Sequence, residues 1–315
     1  MASLTNPRDL WDMLKEAGNS FIEDMAPRLG AALAYYTIFS LAPLLVIVLA
    51  VAGLVFGEKA AQGEVKSQIE GLVGEEGGKA IQDMVVSADK PKTGTVATVV
   101  GVVMLLFGAS ALFGQLQDAL NTIWGVQPKP GRGVMGILRD RFLSFTMVLG
   151  TSFLLLVSLV ISAALAALGS VFNDWGLVVV GPILNVVISL VVVTVLFAMI
   201  YRFVPDAKIV WRDVWFGAGI TAVLFTIGKF LIGLYLGKAG PASAYGAAGS
   251  LAVLLIWLYY SSQIFLFGAE LTKAYANKFG SRIVPKDNAM PITAEARAEQ
   301  GMPTAAQTAA AQSAS

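Results

Sequence analysis

Two long apolar runs, which follow one another in the last third of the chain, constrain the fold most strongly. They cover residues 214–236 and 248–271 and are joined by a short connection. A helix rises about 1.5 Å per residue, so roughly 20 apolar residues cross the roughly 30 Å hydrocarbon core of a bilayer. Each run therefore predicts a transmembrane helix, and together they predict a helical hairpin in the membrane.

The same pattern recurs in four earlier segments, so the sequence predicts an all-α membrane protein with six transmembrane helices. The predicted spans are residues 31–56, 94–113, 142–168, 177–201, 214–236 and 248–271, within a transmembrane domain over 31–276. Composition agrees with this prediction, because 14% of the 315 residues are charged, whereas soluble domains contain about a quarter.

The distribution of basic residues predicts the orientation in the membrane. Six spans place both termini on one side, and the segments on that side hold fifteen of the 22 Lys and Arg residues, against six on the other. Because positive charge accumulates on the cytoplasmic side, the sequence predicts a multi-pass protein with both termini in the cytoplasm.

Three segments lie outside the predicted spans. Residues 1–30 predict a cytoplasmic amphipathic helix, which either lies on the membrane surface or packs on the protein's own loops. Residues 57–93 predict a small helical periplasmic cap between the first two spans. Residues 277–315 predict a cytoplasmic tail that is disordered from about residue 286, where no periodicity remains. The apolar stripe of the first segment comprises Leu10, Trp11, Leu14, Phe21, Ile22 and Met25.

Several short motifs are similar to those of a known family. They are LAYYTIFSLAP at 33–43, RFVPDA at 202–207, GKFLIGLYL at 228–236, AYGAAGSL at 244–251, WLYYS at 257–261 and FGAELT at 267–272. In this order, over about residues 20 to 280, the chain resembles the YihY/BrkB family of bacterial inner-membrane proteins. The resemblance implies six membrane helices in the cell inner (plasma) membrane. Members have been called ribonuclease BN, a tRNA-processing label regarded as mistaken, or virulence and transport factors.

The absence of histidine and cysteine excludes several kinds of chemistry. Zinc hydrolases bind their metal through these residues, so the chain cannot build a zinc nuclease. We predict no catalytic site, no metal site and no cofactor, although a carboxylate magnesium site is a chemical alternative. The net charge of +1 argues against nucleic acid as a partner. A nuclease would need clustered acids, but the cytoplasmic ones are spread over four segments: Asp118, Asp140, Asp206, Asp213 and Glu270.

Lys229 lies within the fifth predicted span, about 10 Å from its outer end by helical rise. Asn185 of span four and Ser158 or Ser162 of span three are predicted to lie at similar depth, where they could solvate an ammonium without neutralising it. Three interpretations stay open. Lys229 reaches the interface along its own stem, loses its proton through burial, or binds a phosphate or carboxylate of a lipid or solute.

A second polar set lies toward the predicted cytoplasmic side. It comprises Tyr36, Ser40, Gln117, Asn121, Tyr260, Gln263 and Glu270. These side chains could line an inward-facing cavity for a substrate. The alternative is hydrogen bonding between helices, for which such residues are commonly used.

The predicted function is that of a transporter or flippase-like protein for an anionic or amphiphilic, lipid-like substrate, with Lys229 as the anion contact. The predicted partners are membrane lipids, an anionic lipid or solute, and a second copy of the chain in a homo-oligomer. A non-transporting envelope scaffold is the first alternative, and a carboxylate-metal ribonuclease is the second.

Overall fold

The structure is a computed structural model that describes residues 6–40, 111–130, 180–239 and 249–303. The described part is mostly helical, which confirms the predicted helical class. The predicted periplasmic cap and the third span lie outside the described residues. The elements are α1 (Pro7–Glu23), α2 (26–40), α3 (111–124), β1 (Val126–Pro128), α4 (Val180–Phe203), β2 (Ala207–Lys208), α5 (Trp211–Ala239), α6 (Gly249–Lys278), β3 (Val284–Pro285), β4 (Ala289–Pro291) and α7 (Ala294–Glu299).

Helices α4, α5 and α6 occupy the fourth, fifth and sixth predicted spans. Two segments, Trp211–Tyr235 and Leu251–Lys278, are long and apolar enough to cross a membrane. Helix α5 packs against both α4 and α6, and many apolar side chains on the three helices point outward. Such a surface is suited to lipid. The exposed apolar side chains include Val187, Val191, Ile227, Phe230, Leu231 and Leu255. The count of six transmembrane spans stays a prediction.

Helices α5 and α6 approach closely where each carries a glycine four residues before a threonine. The Thr221 hydroxyl donates to the carbonyl of Gly217, and the Thr272 hydroxyl donates to the carbonyl of Gly268, both at 2.7 Å. Across the interface Gly217 faces Thr272, and Gly268 faces Thr221 and Tyr201. A side chain at either glycine would collide with its neighbour, so the crossing depends on their small size.

We expect Gly268→Ala to destabilise the protein by about 1–3 kcal/mol, because the added methyl group overpacks this crossing. Gly219→Ala on α5 is the matched control, since a Cβ there meets no atom within 4 Å. Thermal unfolding of both variants in detergent measures the difference. Equal stability of the two variants would contradict the described helix packing.

Helix α1 confirms the predicted amphipathic helix but ends earlier than expected. It begins at Pro7 and ends at Glu23, and Pro27 lies in the first turn of α2, where proline is tolerated. Its buried face, with Met13 and Ala17, packs on Leu271 of α6 and its neighbours. The predicted apolar stripe does not all face this partner, because Trp11, Leu14 and Ile22 are exposed.

The prediction of a tail that is disordered from about residue 286 is wrong for residues 286–303. Strand β3 pairs antiparallel with β2, where Ala207 lies opposite Pro285. Strand β4 pairs antiparallel with β1, where Val126 lies opposite Pro291, and helix α7 follows. The segment has little periodicity of its own, and its order comes from partners that are distant in sequence.

Four separated segments meet at one end of the helices. They are the α1–α2 turn, the segment after α3, the α4–α5 connection and residues 284–303; we call this end the polar base. Its two anchoring carboxylates, Asp24 and Asp206, are both buried. The predicted topology places these four segments on the same side of the membrane, and their contacts agree with that. The side that the polar base faces stays a prediction.

Candidate functional site

A group of four ionisable side chains, two of them buried, joins α1, α6 and α7; we call it the Asp24 cluster. It consists of Asp24, Glu270, Lys273 and Arg297. The Lys273 ammonium donates to Asp24 Oδ2 at 2.7 Å, and Arg297 donates to Asp24 Oδ1 at 2.8 Å. The Lys273 Nζ atom also lies 3.3 Å from Glu270 Oε2. The cluster brings two carboxyl groups together with two cationic side chains.

The carboxylates of the Asp24 cluster are withdrawn from solvent, and this makes their pairing essential. Asp24 is 3% exposed and Glu270 is 0% exposed. A buried charge is costly unless it is paired and hydrogen-bonded. Neither carboxylate oxygen of Glu270 accepts a hydrogen bond from the described residues, so the ion pair with Lys273 is its main compensation there.

A second group, the Asp206 cluster, consists of Asp206, Gln117, Asn121 and Asn288. Asp206 Oδ2 accepts hydrogen bonds from the Gln117 amide at 3.3 Å and the Asn121 amide at 3.2 Å. Its backbone N–H donates to Asn121 Oδ1 at 2.7 Å, and Asn288 donates to Asp206 Oδ1 at 3.2 Å. Gln117 and Asn121 thus hold the α4–α5 connection against α3, and Asn288 holds it against the C-terminal segment.

The remaining members of the predicted cavity lining lie apart from these clusters. The Gln263 amide contacts the α2 backbone, at 3.5 Å from the carbonyl oxygen of Pro27. The Ser40 hydroxyl donates to the Tyr36 carbonyl oxygen of its own helix at 2.7 Å. Tyr260 packs beside Gly228 of α5. The predicted set therefore divides among several places, and its amide side chains bind between elements as the alternative interpretation requires.

Lys229 is partly buried on α5, next to the glycine that faces Tyr260 and Ile264. Within the described part of the chain it makes no hydrogen bond or ion pair. It lies on the same helical stripe as Thr221 and Phe225, at steps of four residues. Those two residues contact Tyr201 and Phe197 of α4. Lys229 is thus on the side of α5 that faces α4.

These contacts also define the register between α4 and α5. Tyr201 lies opposite Thr221 and Phe197 opposite Phe225, so the antiparallel pairing brings residue 193 to the level of Lys229. Asn185 precedes residue 193 by eight residues, so along α4 it is about 12 Å from that level by helical rise. The prediction that Asn185 shares the depth of Lys229 is therefore wrong. The side chain of Asn185 lies outside the described part of the structure, and so do the whole residues Ser158 and Ser162.

The register brings a polar residue that the sequence reasoning missed to this level. Thr194 follows residue 193 on α4, and its hydroxyl donates to the Leu190 carbonyl oxygen at 2.7 Å. A threonine in an apolar helix does not by itself indicate a functional site, because its hydroxyl can donate to a carbonyl oxygen of its own helix.

A groove at the end of α4 was also missed, because three of its seven described lining residues come from the predicted disordered tail. Its volume is about 390 Å³. Lys208 donates to Asp287 Oδ1 at 2.6 Å, which lowers the pKa of that carboxyl group. The groove is lined by Arg202, Phe203, Ala207, Lys208, Lys286, Asp287 and Asn288.

The described acidic residues do not form a cluster suited to a metal. No three Asp or Glu side chains converge within residues 6–40, 111–130, 180–239 and 249–303. Asp213, for example, accepts hydrogen bonds from the backbone N–H and the hydroxyl of Ser281, both at 3.2 Å. That the protein is not an enzyme stays a prediction.

Apolar helices with an outward-facing apolar surface and a charged base define an integral membrane protein. Comparison with known proteins agrees and is more specific. The chain belongs to the Virulence factor BrkB family, whose model matches residues 17–293. This finding confirms the resemblance to the YihY/BrkB family.

The chain matches relatives that are described as UPF0761 membrane proteins. One from Pseudomonas aeruginosa is 29% identical over 253 residues, covering 80% of this chain and 59% of the relative. One from Azotobacter vinelandii is 30% identical over 270 residues, covering 84% and 62%. One from Psychromonas ingrahamii is 30% identical over 246 residues, covering 76% and 79%. The chain thus spans about three-fifths of the first two relatives. No solved structure matches the chain.

Proposed function

We propose that this protein is a transporter or flippase-like protein of the bacterial inner membrane for an anionic or amphiphilic, lipid-like substrate. In this proposal both termini are cytoplasmic and Lys229 is the anion contact. The observation that supports it is the position of Lys229. It is partly buried in a helix long enough to cross the membrane, and it has no acidic partner among the described residues.

The side of α5 on which Lys229 lies supports a contact inside the bundle. Phe225 and Thr221, which lie about one and two turns before it, both contact α4, whereas Phe230 and Leu231 are exposed apolar residues. A lysine at the centre of a membrane helix costs about 2.5–3.5 kcal/mol on insertion scales, and such residues usually have a function. A phosphate or carboxylate group would compensate this charge.

The second candidate function is a non-transporting envelope scaffold. The partial exposure of Lys229 favours it, because the four-carbon stem can carry the ammonium toward the interface. In this case the polar base, with its Asp24 and Asp206 clusters, would belong to a rigid frame rather than to a moving path. In the transporter the charge of Lys229 binds the substrate, whereas in the scaffold it only reaches the membrane interface.

Substitution of Lys229 tests the proposal. We expect Lys229→Met to abolish complementation of a deletion strain while the protein inserts and unfolds like the unchanged chain, because methionine keeps the stem and removes a costly charge. Lys229→Arg should retain partial activity, since its planar group replaces a compact ammonium. Complementation, membrane levels and thermal stability in detergent are measured together for each variant.

The matched control is Thr226→Val, on the same helix one turn earlier. Thr226 donates its hydroxyl to the Ala222 carbonyl oxygen of its own helix at 2.8 Å, so its loss should leave complementation intact. Full complementation by Lys229→Met at normal membrane levels would refute the anion contact and favour the scaffold.

A further inference from the structure

We infer that the groove between the end of α4 and the C-terminal segment binds the phosphate headgroup of an anionic phospholipid from the surrounding membrane. This site is separate from Lys229 and does not depend on transport. It lies where α4 ends at Phe203 and α5 begins at Trp211, which is the level at which a membrane helix leaves the hydrocarbon core.

The charges of the groove suit an anion. Among the described residues, Arg202, Lys208 and Lys286 line it together with one acidic side chain, Asp287. The Lys208–Asp287 pair is solvent-exposed, with side-chain exposures of 55% and 95%. Exposed pairs of this kind contribute little stability, so a phosphate can compete with Asp287 for the Lys208 ammonium.

The cations are held in place by the fold. The Lys286 ammonium donates to the carbonyl oxygens of Pro205 at 2.6 Å and Phe203 at 3.2 Å, which secures it at the end of α4. The Arg202 guanidinium lies over the Trp211 ring, 5.7 Å from its centroid. Because these groups are positioned in advance, binding an anion between them requires little additional ordering.

An exposed apolar surface beside the groove distinguishes a lipid from a soluble anion. Phe203, Val210, Trp211 and Trp215 are all exposed by 41–51%, and the rings of Phe203 and Trp211 meet edge to face with centroids 5.7 Å apart. Tryptophan is enriched at membrane interfaces. A phospholipid would place its phosphate in the groove and its acyl chains along Trp211 and Trp215.

The test uses the full-length protein purified in detergent. Native mass spectrometry measures the binding of dioleoylphosphatidylglycerol and, in parallel, of dioleoylphosphatidylcholine. We expect the anionic lipid to bind in preference to the zwitterionic lipid. The variant R202Q/K208Q should weaken phosphatidylglycerol binding about tenfold or more, since each basic group near the headgroups contributes to the attraction. Phosphatidylcholine binding should change little.

The matched control is R8Q/K15Q, which removes two exposed cations of α1 that do not line the groove. It should keep the affinity of the unchanged chain. If it loses as much as R202Q/K208Q, the attraction is general charge and the groove assignment is wrong. If millimolar inorganic phosphate displaces phosphatidylglycerol and both lipids then bind alike, the groove takes soluble anions and the lipid assignment is wrong.

The single variant K208Q guards against a folding defect, because Lys208 is an exposed residue on a two-residue strand. It should unfold at the same temperature as the unchanged chain and bind phosphatidylglycerol severalfold more weakly. Unchanged binding by a folded K208Q together with a folded R202Q/K208Q would overturn the inference.

Discussion

Lys273→Met is expected to lower the free energy of unfolding by about 3–5 kcal/mol, the cost of removing one partner of a buried ion pair. Its ammonium is the one contact that Glu270 has with a cation among the described residues, and it also donates to Asp24. Without it two carboxylates share the buried site with one guanidinium. Thermal or denaturant unfolding in detergent measures the loss.

A control on the same helix separates burial from charge. Lys278 is as buried as Lys273, with 20% against 21% exposure of the side chain, but its carboxylate partners Asp9 and Asp12 are more exposed than Asp24, at 22% and 65% against 3%. We expect Lys278→Met to cost less than about 1 kcal/mol. The double variant Glu270→Gln with Lys273→Met should recover part of the loss, because it restores the charge balance. A Lys273→Met variant as stable as the unchanged chain would refute the described cluster.

Truncation after residue 283 is expected to destabilise the protein by at least a similar amount. It removes Arg297 from Asp24 and Asn288 from Asp206, and each loss leaves a buried carboxylate less compensated. It also removes Ala289 and Met302, both buried. The free energy of unfolding should fall by about 3–5 kcal/mol for the broken ion pair, with a further loss for the two strand pairings.

Truncation after residue 303 is the control, because it retains every contact named above. We expect its stability to stay within about 0.5 kcal/mol of the full chain, as for changes away from packed features. If both truncated proteins unfold like the full chain, residues 284–303 contribute nothing to stability. That outcome would support the prediction of a disordered tail. It would also contradict the groove between this tail and the end of α4.

Local pattern was enough to predict the helices. Residues 180–203, 211–239 and 249–278 are helical where long apolar runs predict spans, and Pro7–Glu23 is helical where an amphipathic stripe occurs. Length and periodicity are local properties, so neighbouring residues suffice to reveal them. The family is likewise confirmed from short motifs. Even here the details depended on packing, since α1 buries Met13 and Ala17 and exposes Trp11.

What the polar residues do was decided by the tertiary structure. Gln117 and Asn121 were predicted to line a cavity, but Asp206, 85 residues beyond Asn121, engages both. Asp24 meets Arg297 from 273 residues away, and the sequence offers no local sign of either pairing. The level of Lys229 relative to α4 depends on the register between α4 and α5, and the contacts of Thr221 and Phe225 define that register.

The C-terminal segment shows the division most clearly. Its sequence alone lacks the apolar periodicity that drives autonomous folding, which is why it predicts disorder. Its order is supplied by β1, β2, Asp24 and Asp206, which the bundle holds at its polar base. The sequence by itself determined a helical membrane protein of this family, because lipid selects for long apolar helices. The tertiary structure decided how its buried charges are paired, because pairing depends on residues far apart in the chain.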